Sequence, residues 1–127
     1  MLLISIQLPA MSSQFFQCTE HVLPGQHIRN YSRATAHSQN DVLRISVKQY
    51  CPLNYEPKEG DATILACPSN GFPKEVYEPL WDELLQQSKG IFGIRGIWVM
   101  DLVNQNQSAA LNEGLLGNER KWSLPTL

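Results

Sequence analysis

Cysteine and histidine are the side chains of this sequence best suited to covalent chemistry. Cys18, Cys51 and Cys67 could each supply a thiolate, and His21, His27 and His37 a base. A cysteine held against a histidine would make an acyl-transfer centre. Cys67 is the one placed for it, because it closes the apolar run Ala62–Cys67 just before the turn-rich stretch Pro68-Ser69-Asn70-Gly71-Phe72-Pro73. The commoner role of a cysteine in such a run is that of a small, inert, buried side chain. Asp101 ends a second apolar run, where an aspartate ordinarily accepts bonds from turn N–H groups and less often does chemistry. No Gly-x-Ser-x-Gly occurs anywhere, so residues 1–127 hold no serine nucleophile elbow. There is no Cys-x-x-Cys and no His/Cys cluster of zinc spacing. Neither a metal site nor a disulfide framework nor a cofactor is implied.

The chain that must position these groups has 127 residues, the size of one small domain. Hydrophobic residues make up 43% and charged residues 17%, an ordinary globular composition that excludes coiled coil, collagen and wholesale disorder. Twelve acidic against ten basic side chains leave a net charge of −2, so there is no basic field for nucleic acid. No run approaches the roughly 18 apolar residues of a membrane span. Met1–Ala10 is apolar but contains Gln7 and Pro9 and lacks a basic start, so it mimics a signal peptide without its pattern. Met11 is an alternative start of translation. Three widely spaced cysteines fit a reducing compartment, and the cytoplasm is the expected location.

Residues 1–25 show no period and end at the turn signal Pro24-Gly25, which predicts a loosely ordered arm. Leu43, Ile45 and Val47 alternate with Arg44, Ser46 and Lys48, predicting a strand over 42–50 with one buried and one wet face. Residues 27–34 are its expected antiparallel neighbour, and 51–60, with two prolines, Asn54 and Gly60, a loop. Ala62–Cys67 runs apolar without alternation, which predicts a strand buried on both faces. A helix follows over about 74–89, where Val76, Leu80 and Leu84 form one stripe and Tyr77, Trp81 and Leu85 another, with Gly90 as its stop. Pro79 either opens the main helix after a separate first turn or kinks it. Trp81, and Trp98 in the strand Ile94–Met100, are expected in the core. Glu75 and Glu78 suit the helix dipole, and Lys74 could pair with Glu75. Residues 62–101 thus read strand, helix, strand, with a crossover long enough to make the strands parallel.

Two motifs carry a resemblance. Ser69-Asn70-Gly71-Phe72-Pro73-Lys74-Glu75-Val76-Tyr77-Glu78-Pro79-Leu80-Trp81 resembles the His-x-x-Gly-Phe-x-Lys-Glu segment of α/β hydrolases, between the third strand and first helix. Ile97-Trp98-Val99-Met100-Asp101, followed by Asn104-Gln105-Asn106-Gln107-Ser108-Ala109, is similar to the family's Asp-x-x-Gly-x-Gly-x-Ser turn after the fourth strand, and Leu111-Asn112 also fits. The likeness runs from His27 to Asn118 and is to fungal hydrolases that include those of host-selective toxin biosynthesis.

The resemblance implies an α/β fold: the N-terminal half of an α/β-hydrolase sheet, with an antiparallel start and then a parallel strand-helix-strand unit. It divides the chain into an arm (1–25), a truncated hydrolase domain (26–118) and a tail (119–127). It implies serine acyl transfer on an ester or thioester of a small organic acid, in secondary-metabolite synthesis. Gly71 and Phe72 are then the oxyanion-hole candidates, Phe72 through its N–H and its ring as a wall of the acyl pocket. The alternative is a tight turn with Phe72 in the core. Pro68 stands at the family's histidine, and Asn104 and Asn106 at its two glycines. The family's nucleophile, acid and base follow the second turn, so no catalytic residue is expected within this chain. The other reading of the same facts is a non-catalytic truncated paralogue or interaction module, self-associating through an open sheet edge. By the same resemblance the peroxisome joins the cytoplasm as a compartment, although Pro125-Thr126-Leu127 does not match the Ser-Lys-Leu address.

Overall fold

The computed structural model describes residues 14–25 and 34–117. Four strands form one sheet: β1 (Phe16–Pro24), β2 (Arg44–Pro52), β3 (Ala62–Ala66) and β4 (Ile94–Met100), in the order β1-β2-β4-β3. β1 and β4 each pair antiparallel with β2, while β3 and β4 run parallel. The crossover between β3 and β4 is a 3-10 turn, Lys74–Tyr77, leading into helix α1 (Glu78–Ser88). An antiparallel start followed by a parallel strand-helix-strand unit is the expected class. A short second helix, α2 (Asn106–Leu111), follows β4.

The first strand corrects the expectation of a loose arm where the two overlap, at Phe16–Pro24, and residues 1–13 of that arm lie outside the described residues. Phe16–Pro24 pairs with Pro52–Arg44 along its whole length. Its burial is confined to one end, where Phe16 is covered and meets the Tyr50 ring edge-on at 5.9 Å. Gln17, Thr19, Glu20 and His21 blur the alternation, so backbone pairing rather than an apolar face defines the strand. β2 therefore lies between β1 and β4. Residues 26–33, most of the expected neighbour, and the tail 119–127 lie outside the described residues.

Two burial expectations are also corrected. In β2 only Arg44 of the expected polar face is exposed: Ser46 and Lys48 are buried along with Val47 and Tyr50. Each has a dedicated partner, and a buried polar group is tolerated on that condition. β3, expected to be buried on both faces, is covered only where Ile64 and Ala66 approach the core, and Leu65 is 73% exposed. β3 is the outer strand among the described residues, so its other edge and face have no covering element there.

Pro79 resolves as the start of a helix rather than a kink. The 3-10 turn is separate, and Pro79 lies in the first turn of α1, where its missing N–H has no intrahelical acceptor to lose. The stripe of Tyr77, Trp81 and Leu85 packs onto the sheet, whereas of the other stripe only Leu84 reaches the core and Val76 and Leu80 are half exposed. The core is Phe16, Tyr50, Trp81, Ile94, Ile97 and Val99.

Beneath α1 a buried pair joins helix to sheet. Lys48 Nζ donates to Glu78 Oε1 at 2.8 Å, and the Tyr50 hydroxyl donates to the same oxygen at 3.0 Å. Glu78 is therefore a buried acceptor, where the sequence reading gave it only a dipole role. Burial pushes the Tyr50 phenol well above its ordinary range, and the Glu78 charge pushes it further. Desolvation lowers the Lys48 ammonium, but its bond to Glu78 outweighs that and leaves it raised. Both groups bind their protons more tightly folded than unfolded. Their contribution is complete below an unfolded phenol pKa of about 10 and is lost as pH rises through the folded values. Their share of the urea midpoint should thus be constant below about pH 10 and fall above it, so that the alkaline fall is less steep in Tyr50→Phe. An equal alkaline fall in Tyr50→Phe would assign the loss to other groups.

Candidate functional site

The site begins where β3 ends. Beyond the buried Pro68, residues Ser69–Phe72 make a tight turn in which the Phe72 N–H donates to the Ser69 carbonyl at 3.1 Å. Gly71 has φ 83°, the left-handed conformation that such a turn requires at its third residue. The Ser69 N–H donates to the Tyr77 hydroxyl at 2.8 Å, a bond that holds the Tyr77 phenol below its ordinary range. The turn thus has its own brace despite proline at the family's histidine position. Phe72 is 52% exposed, which removes the reading of it as core.

Just after the turn, Lys74 is fully buried. Its ammonium donates to Asp101 Oδ2 at 2.9 Å and to Gln107 Oε1, and its backbone N–H donates to Asp101 Oδ1 at 3.1 Å. Glu75 Oε1 lies 3.1 Å from the same ammonium, on the exposed side. The expected Lys74–Glu75 pair is therefore present but secondary to a buried bond with Asp101. Asp101 stands at the carboxyl end of β4, and its own N–H donates to the Ser46 carbonyl of β2 at 3.0 Å. One carboxylate thus joins the ends of two loops, the turn-capping role expected for it.

The turn after β4 completes the arrangement. Ser108 Oγ accepts the Ser46 N–H at 2.9 Å and donates to the Asp101 carbonyl at 3.2 Å. Ser46 Oγ donates to Gln107 Oε1 at 2.9 Å. Gln105 Oε1 accepts the Gly71 N–H at 2.8 Å, Gln105 Nε2 donates to Asn70 Oδ1, and Asn106 Nδ2 donates to the Phe72 carbonyl at 3.1 Å. Asn106 has φ 50°, so a residue that tolerates left-handed backbone is needed there, as a family glycine would be. Gly71 and Phe72 are thus brought against the second motif. The amides of Gln105, Asn106 and Gln107 were not singled out from the sequence. The signal was their run, three consecutive amide side chains opening a short helix opposite a loop full of backbone donors.

The cysteine–histidine pairing is not assembled. Cys67 is exposed rather than buried. His21 is on β1, with two strands between it and β3 and thus about 14 Å across the sheet. It is bonded to Gln49 at 2.9 Å and lies against the Trp98 ring at 5.2 Å. His37 is on an exposed turn, and His27 lies outside the described residues. Trp98 is half-buried in that contact, and Trp81 is core. No group of three or more potential metal ligands exists among the described residues, and none of their helices is long and apolar enough to cross a membrane. A hollow of about 710 Å³ lies at the other end of the sheet, walled by Leu53, Tyr55, Ile91 and Phe92. Its polar pair, the Tyr55 hydroxyl on the Asp61 carboxylate at 2.9 Å, is satisfied internally.

What the arrangement offers chemically is the backbone N–H of Phe72 beyond the carboxyl end of β3, held only by its local turn bond and beside its own exposed ring, while the Gly71 N–H is taken up by Gln105. The fold is similar to that of a solved structure, the peroxisomal α/β-hydrolase Lpx1 of Saccharomyces cerevisiae, with TM-score 0.66 and 20% identity. The fold is α/β-hydrolase-like. That match covers 86% of this chain and 29% of the yeast protein. In sequence the chain is 50% identical over 113 residues to the type I acyl-CoA thioesterase mpaH of Penicillium roqueforti. It is 50% identical over the same length to mpaH' of Penicillium brevicompactum, also a type I acyl-CoA thioesterase. These matches take in 88% of this chain, which spans about a quarter, 26%, of either relative. No family model matches.

Proposed function

We propose that this chain is the oxyanion-loop part of a fungal α/β hydrolase that cleaves an acyl thioester, or an ester of a small organic acid, in secondary metabolism. The observation that carries the reading is the Ser69–Phe72 turn at the end of β3, pinned through Asp101 and Gln105 to the turn after β4. The identity to two acyl-CoA thioesterases along 88% of the chain supports the thioester as substrate class. In this reading the Phe72 N–H exchanges its bond to Ser69 for the carbonyl oxygen of the substrate as negative charge develops on it. A donor so placed lowers the barrier by about 3–4 kcal/mol. The attacking serine and its acid–base partners would come from outside residues 1–127, where no Gly-x-Ser-x-Gly occurs. The peroxisomal yeast neighbour supports the peroxisome over the cytoplasm as compartment.

The test is a chimera in which residues 14–117 replace the matching segment of the Penicillium roqueforti thioesterase. Acyl-CoA hydrolysis, read from released thiol, should persist, and Phe72→Pro in the chimera should lower kcat by about a hundredfold or more. Full activity in Phe72→Pro would remove Phe72 from the oxyanion hole. A folded but inactive chimera would favour the non-catalytic reading.

A further inference from the structure

The peptide that carries the Phe72 N–H is flanked by two others, and each is held by a side-chain amide from a different part of the chain. The preceding peptide, between Asn70 and Gly71, has its N–H on Gln105 Oε1 at 2.8 Å. The following peptide, between Phe72 and Pro73, has its carbonyl bonded by Asn106 Nδ2 at 3.1 Å. Gln105 is itself oriented, because its Nε2 donates to Asn70 Oδ1. It is the N-cap residue of α2, yet its side chain caps no helix N–H and reaches across to the turn instead. Asn106 stands where the resembling motif has glycine. Its φ of 50° is one a glycine would supply equally, but a glycine could not make the bond to Phe72.

We infer that Gln105 and Asn106 are positioning residues that clamp the Phe72 peptide from both sides, fixing the direction of its N–H. Neither contacts a substrate; they act through the turn. With both neighbouring peptides held, rotation of the central one is restricted to small excursions, which is what preorganisation of a hydrogen-bond donor requires. The amides in the second motif thus supply in side chains what the loop lacks with Pro68 in place of histidine. This inference rests on the proposed oxyanion role for its purpose, but the clamp itself can be tested without any turnover.

Asn106→Gly keeps the backbone conformation and removes only the amide. Gln105→Leu removes both of its bonds at similar size, and Gln105→Glu restores the acceptor for Gly71. Amide hydrogen exchange by ¹⁵N NMR on the 127-residue chain should show the Phe72 amide exchanging about tenfold faster in the Gln105→Leu/Asn106→Gly double variant. The sheet amides of Asp101 and Ile97 should be unchanged. Gln105→Glu should keep the Gly71 amide within about twofold of the native rate. Unchanged Phe72 exchange, or a rise shared equally by the sheet, would overturn the clamp. An acetate titration of the same samples separates this from the functional reading. Movement of the Phe72 resonance in the native chain and its loss in the double variant support both. Faster exchange without any response to acetate keeps the clamp and removes the oxyanion role.

Discussion

Replacing Lys74 with methionine should cost about 3–5 kcal/mol of stability, the largest loss expected from any single change in this chain. Both charged groups of the Lys74–Asp101 pair are fully shielded from solvent. Methionine fills most of the lysine volume, so the cost is electrostatic rather than a cavity. It leaves the Asp101 carboxylate in the interior with one neutral donor, the backbone N–H of residue 74. The partner on the outside, Glu75, does not offset this, because it carries the same sign as Asp101. Its own bond to Lys74, with 38% of its side chain exposed, is worth at most about 1 kcal/mol. A domain of this size has only about 5–15 kcal/mol in total, so the single variant is expected near the edge of folding.

The double variant Lys74→Met/Asp101→Asn keeps the experiment decisive. Asparagine removes the uncompensated charge while still accepting the Lys74-position N–H, so about half of the lost stability should return. Urea unfolding of the three proteins measures this. A Lys74→Met cost below about 1 kcal/mol, or a double variant no more stable than Lys74→Met, would overturn the buried-charge account of this pair. The position matters beyond stability. Asp101 binds Lys74, the second residue after the Ser69–Phe72 turn, so the acceptor that stabilises the sheet also sets where the candidate donors stand.

The parts of this fold legible in the sequence were those with an apolar rhythm. The Tyr77–Trp81–Leu85 stripe was readable from its spacing and β4 from its mostly apolar run, and the parallel crossover followed from the element order. The expected class and the two loops were therefore right in outline. β1 was not readable, because a mostly polar strand at the edge of the sheet draws its definition from backbone bonds to β2, and these leave no pattern in side-chain type. The alternation in β2 was read correctly and interpreted wrongly. Ser46 and Lys48 do alternate with apolar residues, but they face Ser108, Gln107 and Glu78 rather than water. A polar residue in a strand signals either solvent or a long-range partner, and the partners here are 30 to 62 positions away. The site divides along the same line. Gly71 was legible because its backbone conformation is local, whereas the amides that hold it act through distance.

Asn112 shows how far that distance reaches, and Asn112→Ala should cost about 2–3 kcal/mol. The side chain is fully buried at the end of α2 and bonds across to β2. Its Oδ1 accepts the Arg44 N–H at 2.7 Å, and its Nδ2 lies 2.7 Å from the Arg44 carbonyl, 2.9 Å from that of Val103 and 2.8 Å from that of Ser108. Alanine strands both backbone groups of Arg44 at the point where β2 begins, and leaves the Val103 carbonyl without this donor, whereas the Ser108 carbonyl keeps the backbone N–H of residue 112. Each abandoned group costs about 1–3 kcal/mol, discounted where water can reach the strand end. Asn112→Asp should be at least as harmful, since it retains the acceptor for Arg44 but sets a negative charge against three carbonyl oxygens. Thermal unfolding orders the three proteins, and exchange of the Arg44 amide reports the lost bond directly. A loss smaller than about 1 kcal/mol in Asn112→Ala, with Arg44 still protected, would mean that β2 is anchored by its strand neighbours alone. The expected result instead makes α2 a structural peg. It holds the first residues of β2 through Asn112 and Ser108 and the Ser69–Phe72 turn through Gln105, so the order of the candidate site depends on one short helix and its two caps.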